Sequence, residues 1–462
     1  MRGALIGLVA LTLAACAAPQ GAQRLDDSAV PLTTAEPFRP GPPRPLPASR
    51  PNADMAIDIM ELGFFMESGR PIQQFSRYEG PVRLVLRGEV PTRAQFDLDR
   101  LIARLRDEAQ IDIARAPGNR TEPGENTINV EFVSRREMRR VVPTAACFVV
   151  PNVDGWDDFI ANRRNPALDW TRVVQRVRTA VFVPLDTTPQ EMRDCLHEEV
   201  AQAMGPLNDL YRLPDSVFND DNFQTTLTGF DMLVLRAWHA PELRPGMTPE
   251  EVAARLPAIL DRLNPAGSRP GGPPPGPTPR AWIEAIETTL GAGSSTAQRR
   301  AAAQRAVQIA GQQNWRGPRL ALSLLLVARL APREEGEAAF VALLAAGEMF
   351  RRMPGGEVHA AHVDMHLAVQ AMAGGQYDLV MTLTERALPY AIRTENAAFQ
   401  ASLAFLQAEA LQQQGQTERA ARLRIDSMPA ARYGFGSPAA IQARLDEVAR
   451  LGVLSRRMAA AE

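Results

Sequence analysis

Thr188-Pro189-Gln190-Glu191-Met192-Arg193-Asp194-Cys195-Leu196-His197-Glu198-Glu199-Val200-Ala201-Gln202-Ala203-Met204-Gly205-Pro206-Leu207-Asn208 is the stretch on which the reading of this chain turns. Thr188 and Glu191 have the spacing of a capping box and Pro189 suits the first helical position, so a helix is expected to open here. At about 100° per residue, Met192, Cys195, Leu196, Val200 and Ala203 share one apolar arc. Glu199 falls inside that arc, where a carboxylate needs partners or a raised pKa. Glu198 and Gln202 lie together at one edge, and His197 lies nearly opposite Glu199 and Gln202.

The spacing Glu198-Glu199-x-x-Gln202-x-x-Gly205-x-x-Asn208 resembles the His-Glu-x-x-His-x-x-Gly-x-x-His helix of metzincin-type zinc proteases. The resemblance implies that Glu198, Gln202 and Asn208 stand at degenerate ligand positions, while Glu199 and Gly205 keep their types. His197 cannot replace a lost ligand, because it faces away and Ala201 occupies its i+4 position. Two amides and an acid are poor substitutes for three imidazoles, and oxygen-only ligands suit Ca²⁺ or Mg²⁺ better than Zn²⁺. No metal and no cofactor are therefore expected. Glu199 remains the candidate catalytic base, though without a metal to acidify water it loses most of its leverage.

The neighbourhood extends the resemblance. Ser216-Val217-Phe218 is similar to the Ser-x-Met turn of metzincins, with Phe218 in place of Met. Leu227-Thr228-x-x-Asp231-x-x-x-Leu235-x-x-Trp238 is similar to the closing helix of matrixin-like domains. Cys195, Phe218-Asn219-Asp220, Asp231 and Arg244-Pro245-Gly246-Met247 together resemble an uncharacterised family of bacterial exported proteins of unknown function. In that family a Glu-Glu-x-x-Gln-x-x-Gly helix is usual. Upstream, Pro81–Arg87 and the alternation of Ile128, Val130 and Phe132 predict strands, as do Cys147-Phe148-Val149-Val150 and Val181-Phe182-Val183. Thr92-x-x-Gln95 predicts a capped helix, and Thr248-Pro249-Glu250-Glu251 another. The expected first domain, 55–263, is α+β and zincin-like.

Asn264-Pro265-Ala266-Gly267-Ser268-Arg269-Pro270-Gly271-Gly272-Pro273-Pro274-Pro275-Gly276 reads as a linker, 264–278. The remainder, 279–462, reads as all helix. Gly375-Gln376-Tyr377-Asp378 and Gly415-Gln416-Thr417-Glu418 each stand between an Ala-rich helix and a shorter one. This resembles tetratricopeptide-type helical hairpins, although the Trp-Leu-Gly-Tyr consensus is absent and the period is too long; a compact bundle is the alternative.

Met1-Arg2, the apolar run Ala4–Leu13 and Leu13-Ala14-Ala15-Cys16 look like a bacterial lipoprotein signal, 1–15, with Cys16 lipidated. Ala17 after Cys16 favours the outer membrane, on its periplasmic side, by resemblance to enterobacterial lipoproteins. Residues 16–54 are Pro-rich and read as a disordered tether. Export places Cys147 and Cys195 in an oxidising compartment, where a disulfide between them is expected; buried free thiols or a Cys195/His197 nucleophile pair are the alternatives. The formal net charge is −2, so no nucleic-acid partner is expected. All basic residues are Arg, which excludes Walker-type, kinase-type and Schiff-base lysine chemistry.

Two further groups carry side-chain chemistry. Asn219-Asp220-Asp221-Asn222 lacks the Glu and Gly spacing of a calcium loop, which favours a solvated or capping role. His359, His362 and His366 share one helix face at chelating spacing, but no fourth ligand is evident and inter-helix packing is the simpler expectation. The sequence thus leads to a lipid-anchored envelope scaffold or binding protein, contacting protein through its C-terminal helices. An active periplasmic hydrolase of peptide or cell-wall material, with Glu199 as general base, is the alternative; a purely structural spacer is a third reading.

Overall fold

A computed structural model describes residues 38–291 and 293–459. Cys16 and the lipoprotein signal lie outside the described residues. Residues 45–275 form one compact unit, and residues from 276 onward, with 38–44, form another. No helix among the described residues is long and apolar enough to cross a membrane.

The first unit runs α1 (Asn52–Phe64), β1 (Val82–Arg87), α2 (Thr92–Asp107), β2 (Ile113–Arg115), β3 (Asn126–Val133), α3 (Arg135–Val141), β4 (Phe148–Pro151), α4 (Trp156–Asn162), β5 (Arg178–Pro184), α5 (Pro189–Met204), α6 (Gly229–Trp238) and α7 (Pro249–Leu263). Its five strands form a mixed sheet in the order β2-β1-β3-β5-β4, with β4 antiparallel to β5 and the other pairs parallel. Leu84, Val130 and Val181 meet Leu98 and Leu101 of α2 and Leu196 and Val200 of α5 in the main core. The opposite face carries an aromatic cluster of Phe148, Trp156, Phe159 and Phe182. Central strands buried on both faces read as apolar runs, which is why β5 is visible in sequence.

Three expectations change. Thr92 is the first residue of α2, not its cap: Pro91 precedes it and no side chain caps the helix. Residues at the ends of the expected tether and linker hold one another within this unit. Asn52 Nδ2 donates to Asn264 O at 3.0 Å, and the Gly272 N–H donates to Asp54 at 3.0 Å. The folded unit therefore begins before residue 55 and reaches past 263. The three-residue edge strand β2 was not anticipated, being too short to carry a period, nor was α1, although Met55, Ile59 and Leu62 recur there at helical spacing and are buried.

The second unit is helical: α8 (Arg280–Leu290), α9 (Thr296–Gln312), α10 (Pro318–Leu330), α11 (Gly336–Arg352), α12 (Glu357–Ala373), α13 (Tyr377–Arg393), α14 (Ala397–Gln413), α15 (Thr417–Asp426), α16 (Met428–Phe435) and α17 (Pro438–Ala459). Helices α8 to α15 each pack on the next. Gly375 and Gly415 take left-handed φ values of 69° and 78°. Around them the N–H of Gln376 donates to Ala371 O and that of Gly375 to Met372 O; the Gln416 and Gly415 N–H groups bond Leu411 O and Gln412 O in the same way. This is the paired bonding of a Schellman cap, in which a residue without Cβ carries no steric penalty. Glu395 repeats the turn between them at φ 54°.

Candidate functional site

Helix α5 is set by its ends. The Thr188 side chain accepts from the Glu191 N–H at 3.1 Å and the Thr188 N–H donates to Glu191 Oε2 at 3.3 Å, closing the expected capping box. At the other end the buried Arg176 donates to the carbonyls of Gln202 (2.7 Å), Ala203 (2.8 Å) and Gly205 (2.6 Å). His239 Nε2 lies 2.9 Å from Met204 O. These groups satisfy carbonyls that a helix C-terminus leaves without partners, and place positive charge where the helix dipole favours it. Burial pulls the Arg176 guanidinium down to about 10, still charged at neutral pH. At Gly205 a Cβ would fall 2.8 Å from Leu235 Cδ2, so a larger residue there would have to displace that side chain.

The helix is pinned sideways by the disulfide Cys147–Cys195, whose Cα atoms are 5.9 Å apart. The bond removes Cys195 as a nucleophile and Cys147 as a thiolate ligand. In the loop-entropy model a closure of this length contributes roughly 4 kcal/mol. His197 is buried and its Nδ1 accepts from the Leu227 N–H at 3.1 Å. Burial first, then Arg104, Arg193 and Arg100, hold its pKa well below the ordinary value. It therefore serves as a neutral strut between α5 and the approach to α6.

On the other side of α5 acidic groups converge. One carboxylate oxygen each from Glu198, Asp209 and Asp220 lie within 4.8 Å of one another, and a Glu199 oxygen lies within 4.8 Å of one from Glu198. Glu198, Asp209 and Asp220 are half-buried and Glu67 is exposed at the rim. Glu199 is only 4 % exposed, and its Oε2 has no hydrogen-bond partner. Burial raises Glu198, Glu199 and Asp209 well above the carboxylate range, and the negative charges around them add to it. A hydrogen bond shared with Glu67 raises Asp209 further.

The residues that the spacing matched to ligand positions part company. Glu198 enters the acidic cluster. Gln202 turns its Nε2 to Asp209 Oδ2 at 3.2 Å. Asn208 leaves: its side-chain amide donates to Glu61 O of α1 at 3.0 Å, and its backbone N–H to Leu62 O at 3.1 Å. Its neighbour Asp209 takes the place that spacing assigned to Asn208. The Asn219–Asn222 segment divides likewise. Asn219 and Asp221 side chains accept from Asp221 and Phe223 N–H groups, the capping role expected, while Asp220 joins the cluster.

Ser216-Val217-Phe218 is held by Asp231. Asp231 accepts from Ser216 Oγ at 2.6 Å, from the Val217 N–H at 3.1 Å and from the Thr228 N–H at 2.8 Å, so the turn and the start of α6 share one carboxylate. Burial pushes Asp231 up to about 6 despite these donors. In the helical unit, His359 packs on Phe350 (centroids 4.7 Å apart) and His362 stacks on Phe399 at 3.8 Å. Their ring nitrogens and that of His366 do not converge as a metal-holding group among the described residues.

Sequence reasoning missed Asp209, Arg176 and Glu67. Asp209 had a signal, since it adjoins the third ligand position on a chain leaving a helix. Arg176 and Glu67 had none, because only tertiary packing brings them to α5. Residues 52–258 match the family model described as Protein of unknown function (DUF2927). This stretch contains the whole cluster and the disulfide. No curated protein and no solved structure matches the chain.

Proposed function

We propose that this chain, carrying a domain of unknown function at 52–258, is an exported lipoprotein anchored to the outer membrane through Cys16. Its first domain is a zincin-like fold without a hydrolytic zinc centre, and its C-terminal helices form a tetratricopeptide-like array that holds a protein partner. The chain then acts as an envelope scaffold or binding protein. The observation that carries this reading is the donor set on α5: carboxylates and an amide stand where imidazoles would be needed, and the one adjacent imidazole, His197, is engaged by Leu227. Support for a protein contact comes from α11, where Phe340, Val341 and Leu344 are exposed.

Affinity capture from solubilised membranes with the full chain tests the reading. A defined partner should be enriched by the wild-type protein and lost with Leu344→Asp, while Glu199→Gln leaves capture unchanged. No enrichment over a control lipoprotein would overturn the scaffold role. Zinc-dependent hydrolysis of peptide or cell-wall material that disappears in Glu199→Gln would establish the hydrolase instead.

A further inference from the structure

We propose that the cleft on α5 binds a hard divalent cation of the calcium type, held by the carboxylates of Glu198, Asp209 and Asp220, with Glu199 beside Glu198. The inference goes beyond the scaffold reading and stands whether or not the helical unit binds a partner.

Three observations converge. The first is geometry: oxygens from three chain segments, α5, the stretch leaving it and the loop before α6, approach within 4.8 Å of one another. The second is an unmet valence. Glu199, 4 % exposed and beside Glu198, has an oxygen with no partner, and Asp209 Oδ1 is buried and equally without one. Buried carboxylate oxygens left bare cost free energy unless a cation or a proton meets them. The third is local design. Asn219 and Asp221 direct their oxygens to backbone N–H groups, and Gln202 positions Asp209 by donating to one of its oxygens. These neighbours fix the loop and one oxygen of Asp209 in place.

The donor set selects the ion. It is all oxygen, because Cys147 is tied up in a disulfide. Thiolate- and imidazole-seeking metals are therefore disfavoured. Ca²⁺ takes about six to eight oxygens in flexible geometry and tolerates several carboxylates, whereas Mg²⁺ demands a regular octahedron and keeps most of its waters. The ion would join α5 to the loops that follow it.

The full-length protein, stripped with EGTA, can be titrated calorimetrically with CaCl₂ and then unfolded thermally with and without the ion. The expected result is a single Ca²⁺ per chain, and a Tm raised by about 5–10 °C when free Ca²⁺ is about 100 times Kd. Mg²⁺ should bind more weakly. Glu198→Gln and Asp209→Asn should abolish the heat and the Tm rise. Their calcium-free Tm should match or exceed that of the parent, because each removes a repelling carboxylate. No heat and no Tm shift up to roughly 10 mM Ca²⁺ would overturn the proposal. So would binding undiminished in either variant, or a calcium-free Tm lowered by either substitution, which would mark the acids as proton-sharing structural partners.

Discussion

Arg176 illustrates how single residues shape this site from outside it. Its guanidinium bonds three carbonyls at the end of α5, reaches Ser76 Oγ at 3.2 Å and lies over the Trp170 ring. A buried charge is tolerated here because partial negative charge surrounds it on the helix side. Arg176→Met keeps the bulk and removes the donors, leaving buried carbonyls bare. It should destabilise the first unit by roughly 3–5 kcal/mol, read as a shift in urea midpoint. An unchanged midpoint would mean that water replaces the guanidinium without cost. Arg176→Lys should recover part of the loss, since one ammonium cannot reproduce the planar fork.

At the scale of elements, the helical unit is built on a repeated stop signal. Gly375, Glu395 and Gly415 each end a helix in the left-handed region, and the same bond pair closes each turn. At Gly415 a Cβ would meet nothing within 4 Å, so a substitution there tests backbone strain alone. Gly415→Ala should cost about 1–2 kcal/mol, measured by thermal unfolding of that unit; a neutral result would show that the turn relaxes. The first unit is organised differently. Its key helix is gripped at its C-terminal end and on its flank by groups far away in sequence, namely Arg176, His239, Leu227 and Cys147.

At the scale of the whole molecule, the two units should answer pH with opposite signs. In the first, Glu198, Glu199 and Asp209 are raised well above their usual range and Asp231 to about 6. The folded state then binds more protons than the unfolded one, so stability falls as pH rises through those raised values. In the helical unit burial depresses His362 well below its usual value and His366 to about 3. There the unfolded state binds more protons below about 6.5, and stability falls on acidification. In calcium-free buffer the first unit should lose Tm as pH rises above about 6 (roughly one to several degrees per unit), while the helical unit loses Tm as pH falls through about 6.5. The histidines His197 and His239 moderate the gain of the first unit on acidification, because burial depresses both. Parallel pH responses in the two units would contradict these assignments.

Much of this was legible in the chain itself. Local rules found the capping boxes of α5 and α7, the strands β1, β3 and β5, the helical succession from α8 onward and the pairing of Cys147 with Cys195. Each depends on residues close in sequence or, for the disulfide, on compartment and count. The absence of imidazoles at Glu198, Gln202 and Asn208 was equally plain, because side-chain chemistry is written in the residue names. What the acids do together was decided only by folding. A one-residue rotation sends Asn208 to α1 and leaves Asp209 in its place, Asp220 arrives from a loop, and Glu67 borders the rim. Sequence spacing determines which face of a helix a residue occupies; the partners it meets across a cleft depend on how distant backbone segments pack, and that is a property of the tertiary structure alone.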